Sequence, residues 1–212
     1  MFKKMRKVAT ILLLICGEVF AQQKSTFTDS RDGKKYKTVK IGEQTWMAEN
    51  LNYNAKGSKC YDNKPANCQK YGRLYDWATA MNIDAKFNEE EYGGSDEKDR
   101  GICPSGWHIP SEGDWDALMT AVGSNTAGTK LKATAGWNSN GNGTDEFGFS
   151  ALPGGFGYSD GDFNDVGDYG YWWSATEDYS IYAYLRDMGY RYSDVSSSSY
   201  MSTLFSVRCV QD

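Results

Sequence analysis

At 212 residues the chain has room for one substantial domain with its own core. It carries 28 Asp and Glu against 23 Lys and Arg, a net charge of −5 that becomes −8 once Lys3, Lys4, Arg6, Lys7 and Glu18 are removed with residues 1–21. That balance argues against a basic face tracking phosphates, and with it against nucleic acid as a partner. Aromatics form 15% of the chain, with 15 Tyr and 7 Trp against 4 Pro, which argues against disorder and for a β-rich protein.

Residues 1–21 read as a secretory leader. The four basic residues form its charged start, and residues 8–15 are apolar but too short to span a bilayer. Val19 and Ala21 suit cleavage before Gln22, so the mature protein is expected to be exported. Cys16, after Leu-Leu-Ile, is an alternative lipid-anchor site, disfavoured by the bulk of Ile15. No later stretch could cross a membrane. Residues 22–26 are expected as a flexible lead-in and 27–212 as one domain.

The domain opens with strand-like runs at 27–30, at Tyr36, Val39 and Ile41, and at Thr45-Trp46-Met47, the first two joined through Asp32-Gly33. Trp46 is expected in the core. Residues 52–70 read as a polar loop, and a first helix follows at 76–81 with Trp77, Ala80 and Met81 on one face. Residues 84–100 form an acidic, solvated insertion. Trp107-His108-Ile109 is extended because Pro110 disfavours the helical region before it. Ser111 then caps a second helix with Asp114 at its third position, and Trp115, Leu118, Met119 and Val122 form its apolar face up to Gly123.

Beyond that helix, residues 126–145 form a long Gly-, Asn- and Thr-rich loop with one short element at 130–132. A short strand is expected at 147–149, a turn at 152–155, an acidic Gly-punctuated loop at 158–168 and a strand at 171–176. Trp172 and Trp173 are neighbours on that strand and point to opposite faces, so only one is expected to fill the core. Ile181, Ala183 and Leu185 alternate with Tyr182, Tyr184 and Arg186 as in a half-buried strand. Residues 196–199 read as a polar turn. In the last strand Phe205, Val207 and Cys209 share one face, Ser206 and Arg208 the other.

Chemistry is sparse. The one histidine, His108, argues against a histidine-rich zinc site and is expected to serve as a structural hydrogen-bonding group. Asp160, Asp162, Asn164, Asp165 and Asp168 alternate as hard oxygen ligands would in a calcium loop. Position six is Asp165 instead of Gly and position twelve is Tyr171 instead of Glu, so this is no EF-hand, and no other cofactor is expected. Ligand residues gather on loops held by rigid elements. The expected ligand surface therefore joins 136–145 to 158–169, with Trp137, Tyr158 and Tyr169 stacking and Asp160, Asp162 and Asp165 accepting hydrogen bonds or holding a cation.

Six signatures occur in order: Gln44-Thr-Trp46-Met-Ala-Glu-Asn-Leu51, Gly72-Arg-Leu-Tyr75-x-Trp77, Gly101-Ile-Cys103-Pro-x-Gly-Trp107-His-Ile-Pro110-Ser-x-x-x-Trp115, Phe147-Gly-Phe-Ser-Ala-Leu-Pro-Gly-Gly155, Tyr171-Trp-Trp-Ser174 and Phe205-Ser-Val-Arg-Cys209. They resemble the Fibrobacter succinogenes major paralogous (FISUMP) domain over 27–212. More distantly the order resembles C-type lectin-like folds and the formylglycine-generating enzymes. The resemblance implies an α+β, C-type lectin-like fold, with two short helices packed on a twisted antiparallel sheet and long Gly-rich loops.

Without Cys16, four cysteines in an exported chain imply two disulfides and allow three connectivities. Proximity pairs Cys60 with Cys68, which leaves Cys103 for Cys209. The lectin-like resemblance implies the same long-range staple, and that staple argues against a catalytic cysteine pair. The expected function is a non-catalytic binding or adhesion module for a glycan or surface protein. The alternatives are a hydrolase with two carboxylates, a relative of the formylglycine-generating enzymes, or a structural surface subunit.

Overall fold

The computed structural model describes residues 24–94, 98–191 and 194–212. The expected leader, its expected cleavage point and Cys16 lie outside them. Strand β1 (Lys24–Thr28) pairs antiparallel with β2 (Lys35–Ile41), so pairing begins inside the segment expected as a loose lead-in. Gly33 turns the chain between them at φ 72°. The fully buried Asp29 holds that turn by accepting two side-chain bonds from Arg31 Nε and one from its Nη2. Strand β3 (Gln44–Met47) returns along β2 with Trp46 opposite Val39.

The stretch at 52–70 is more ordered than a loop. It contains α1 (Pro65–Tyr71), which starts on a proline where the missing N–H forfeits no helical bond. Seven residues are too few to show a helical period, which is why the sequence conceals it. Gly72 ends the helix at φ 79°, and a Cβ there would lie 2.7 Å from that of Asn50. Strand β4 (Leu74–Tyr75) and helix α2 (Trp77–Met81) follow, the latter capped by Asp76 accepting from the Thr79 N–H at 2.8 Å.

Strand β5 (Trp107–His108) leads into α3 (Glu112–Val122). The expected capping box is present: Ser111 Oγ accepts from the Asp114 N–H, and Asp114 accepts from the Ser111 N–H at 3.0 Å. Trp115, Leu118, Met119 and Val122 are all buried. The short element near 130 is α4 (Ala127–Leu131). The chain turns at 145–148, where the Gly148 N–H donates to the Asp145 carbonyl, and residues 147–149 are not the expected strand. Strands β6 (Phe156–Gly157) and β7 (Phe163–Asn164) make a small ribbon. Strands β8 (Tyr169–Glu177), β9 (Tyr182–Gly189) and β10 (Asp194–Tyr200) make an antiparallel meander, so 196–199 is strand and not a turn.

The tail is two strands instead of one: β11 (Phe205–Ser206) and β12 (Val210–Gln211). They belong to different sheets. One sheet runs β1-β2-β3-β12-β5 and the other β10-β9-β8-β11-β4. The tail thus leaves one sheet and returns to the N-terminal strands of the other. The expectation of a single sheet with two helices gives way to an α+β fold of two five-stranded sheets, a ribbon, four α-helices and three short 3-10 helices among the described residues. Cys103–Cys209 fastens the crossing tail and Cys60–Cys68 the start of α1, the expected pairs.

Two cores result. One collects Met47, Tyr75, Trp77, Trp173 and Phe205 around the Cys103–Cys209 bridge. The other collects Trp46, Phe149, Trp172 and Val210 under α3 and α4. Trp172 and Trp173 do face opposite ways, yet both are fully buried, because the second sheet is covered on both sides.

Candidate functional site

Five of the six signatures meet at one buried amide. Asn50 Oδ1 accepts from the Trp172 indole N–H at 2.8 Å, from Arg208 Nε at 3.0 Å and from Arg208 Nη2 at 2.7 Å. Asn50 Nδ2 donates to the Tyr71 carbonyl at 2.8 Å and to Ser206 Oγ at 3.2 Å. Arg208 also donates to the Phe149 carbonyl and lies 4.2 Å from the Phe149 ring centre. Gly72 contributes by having no side chain where Asn50 approaches. The alternation of the tail makes this possible, with Phe205, Val207 and Cys209 in one core and Ser206 and Arg208 turned to the amide.

His108 joins the remaining signature to the end of the chain. Its Nδ1 lies 2.7 Å from Asp212 and its Nε2 3.3 Å from Asp114. Burial pulls the imidazole pKa down, but hydrogen bonds to Asp114 and Asp212 outweigh it and hold the pKa above its ordinary value. Burial likewise pushes Asp114 up, and its bonds to His108 and Ser111 more than reverse that.

The loops expected to form the ligand surface do meet, since the Asn138 N–H donates to the Gly167 carbonyl at 2.8 Å. Their side chains do not make the expected site. Trp137 is 5% exposed, donates its indole N–H to the Ala151 carbonyl and belongs to the second core, so it has no face to offer a ligand. Tyr169 is half-buried and stacked on Tyr171 with ring centres 5.7 Å apart. Tyr158 alone of the three is exposed, at 45%.

The carboxylates disperse as well. Asp160 accepts from the Asp162 N–H, Asp165 from the Tyr171 hydroxyl and Asp168 from Asn138 Nδ2, while Asn164 lies exposed on β7. Among the described residues no three His, Cys, Asp or Glu side chains converge where a metal ion could sit. Alternation along the sequence supplied the oxygens, and turns and local hydrogen bonds pointed them apart.

The exposed aromatic surface lies elsewhere. Tyr182 on β9 faces Tyr200 directly across on β10, with ring centres 4.5 Å apart. Tyr179 stacks on Tyr182 at 5.1 Å, giving a ladder of three rings. Tyr179 is 63% and Tyr200 52% exposed. Ser198 sits opposite Tyr184 on the same face. Tyr182 is pushed up to about 12, first by its hydroxyl bond to Tyr200. The alternation of Tyr182 and Tyr184 with buried Ala183 and Leu185 was legible in the sequence, while the partner strand carrying Tyr200 was not.

The features together define a disulfide-stapled α+β domain whose signature motifs close on a buried guanidinium–amide network. The chain belongs to the Fibrobacter succinogenes major domain family, whose model matches residues 39–211. No curated protein and no solved structure matches it. No helix among the described residues is long and apolar enough to cross a membrane.

Proposed function

We propose that the chain is an exported, non-catalytic binding module of lectin-like build that holds a glycan against the tyrosine ladder of the β9–β10 hairpin. The single observation that carries this reading is the contiguity of Tyr179, Tyr182 and Tyr200. Apolar side chains scattered singly on a surface are ordinary, whereas here three rings touch in series, with Tyr179 and Tyr200 exposed on either side of the half-buried Tyr182, and make one contiguous aromatic ridge. Tyrosine supplies a flat apolar body with a hydroxyl tip, which suits the alternating C–H and O–H faces of a sugar ring. Export is supported by the leader-like residues 1–21 and by two disulfides, which persist in oxidising compartments.

The test is a glycan array probed with the purified mature domain, with and without calcium, followed by titration of Tyr182→Ala and Tyr200→Ala with the best ligand. Each substitution is expected to weaken binding about tenfold or more, as for an anchoring aromatic. An array without a retained glycan, or variants that bind as the parent does, would overturn the reading.

A further inference from the structure

A second surface shares no residue with the tyrosine ladder. A cleft of about 450 Å³ opens between the start of β2, the end of α1 and the segment 150–152. Its lining includes Lys34, Lys35, Lys37, Lys70 and Arg208, with Glu49 as the lone carboxylate. That local excess of positive charge stands on a chain of net −5. Lys34 is paired with Asp32 at 3.0 Å and Lys37 with Glu49 at 3.9 Å. Lys35 and Lys70 are exposed and have no carboxylate partner among the described residues; the Lys70 ammonium lies 4.6 Å over the Tyr71 ring.

Arg208 is the telling member. It is 1% exposed, and its three hydrogen bonds run to neutral oxygens, two to Asn50 and one to Phe149. A guanidinium has five N–H groups, so two remain without an acceptor among the described residues. Burial drags its pKa down to about 9, against the pull of Asp145 and Glu49. A buried charge with no direct counter-ion is costly, and the Asn50 amide holds this one rigidly in the cleft wall.

We propose that this cleft binds a small ligand through a compact oxyanion, a carboxylate or a sulfate, with Lys35 and Lys70 drawing it in and Arg208 neutralised beneath it. The cavity falls within the roughly 300–1,000 Å³ typical of small-molecule sites. Arginine is the side chain whose planar fork matches such oxyanions.

The experiment is calorimetric titration of the mature domain with digalacturonate, inorganic sulfate and neutral cellobiose, at low and high salt. Digalacturonate, sulfate or both are expected to bind, weakening as salt rises, and which of them binds identifies the source of the oxyanion. The double variant Lys35→Gln/Lys70→Gln, exposed and remote from both cores, is expected to keep its melting temperature and lose about tenfold in affinity. Arg208→Lys should lose at least as much; if it fails to fold, the lysine pair still decides. Binding of neither anion at millimolar concentration, cellobiose binding that is as tight and is weakened by the lysine pair, or anion binding indifferent to the lysine pair would overturn the proposal. Tyr182→Ala should leave sulfate binding and the salt-sensitive part of digalacturonate binding unchanged, so failure of the tyrosine face and failure of the cleft read out separately.

Discussion

The loop at 136–145 and the β9–β10 hairpin use the same ingredients, aromatic rings among small polar residues, to opposite ends. In the loop, Trp137 turns inward: its backbone N–H is taken by Asn142, its indole N–H by Ala151, and the Lys132 ammonium lies 5.1 Å over the ring. Lys132 is itself buried, which pushes its pKa down, and donates to the Gly189 carbonyl at 3.0 Å. In the hairpin one face enters the core through Ala183 and Leu185, while the other is met by α3 only as far as Arg186, which reaches Glu112 at 2.9 Å and Asp116 at 2.6 Å. Tyr184 and Tyr182, beyond Arg186, are half-buried, and Tyr200 is exposed. Exposure is set by what lies opposite, not by the composition of the segment.

The sharpest way to break that contrast is Trp137→Ala. It should cost about 3–5 kcal/mol, as for a buried aromatic, and be read as a lower denaturation midpoint. A parent-like midpoint would mean the ring is not core. Asn50→Ala comes next, at about 3 kcal/mol, because three donors, two of them from a cation, lose their acceptor at once. Unchanged chemical denaturation would show that water replaces the amide.

His108 should have an effect that depends on pH. Its folded pKa is raised, so the stability it adds is fully present below its ordinary value near 6.5 and is lost as pH rises through the folded pKa. The melting-temperature difference between the parent and His108→Gln should therefore shrink from acid to alkaline pH. A difference that grows instead would show an imidazole held neutral. Asp114 acts at the other end: its pKa is depressed, so its contribution is lost as pH falls through the folded value. The smallest effect belongs to the hairpin. Tyr200→Ala, at a 52% exposed position, should change stability by no more than about 0.5–1 kcal/mol, the worth of a cross-strand pair. A loss as large as that of Trp137→Ala would erase the distinction between the two regions.

Much of the frame was legible because it is local. The Ser111–Asp114 box, the Trp115, Leu118, Met119 and Val122 stripe, and the Asp76 start of α2 all lie within a few residues and declare themselves by spacing. Cys60 and Cys68 are separated by 8 residues, and that closeness left Cys103 for Cys209. Less of the candidate site could be read. Tyr158 was rightly expected at the surface. Trp137 was misplaced because a Gly-rich loop looks solvated until the segment beneath it is known. The ladder was missed because Tyr182 and Tyr200 come together only through the register of β9 on β10.

The sequence by itself determined the family, the capped helix and the alternation of the tail, since each is a pattern read along a few tens of residues. Tertiary structure alone decided that Trp172 and Trp173 are both buried, that the tail parts into β11 and β12 in different sheets, and that Arg208 sits beneath a lysine-lined cleft with only neutral partners. The physical reason is that a strand's alternation fixes which side chains share a face, whereas burial and charge on that face depend on elements more than a hundred residues away in the chain, as Asn50 and Arg208 are.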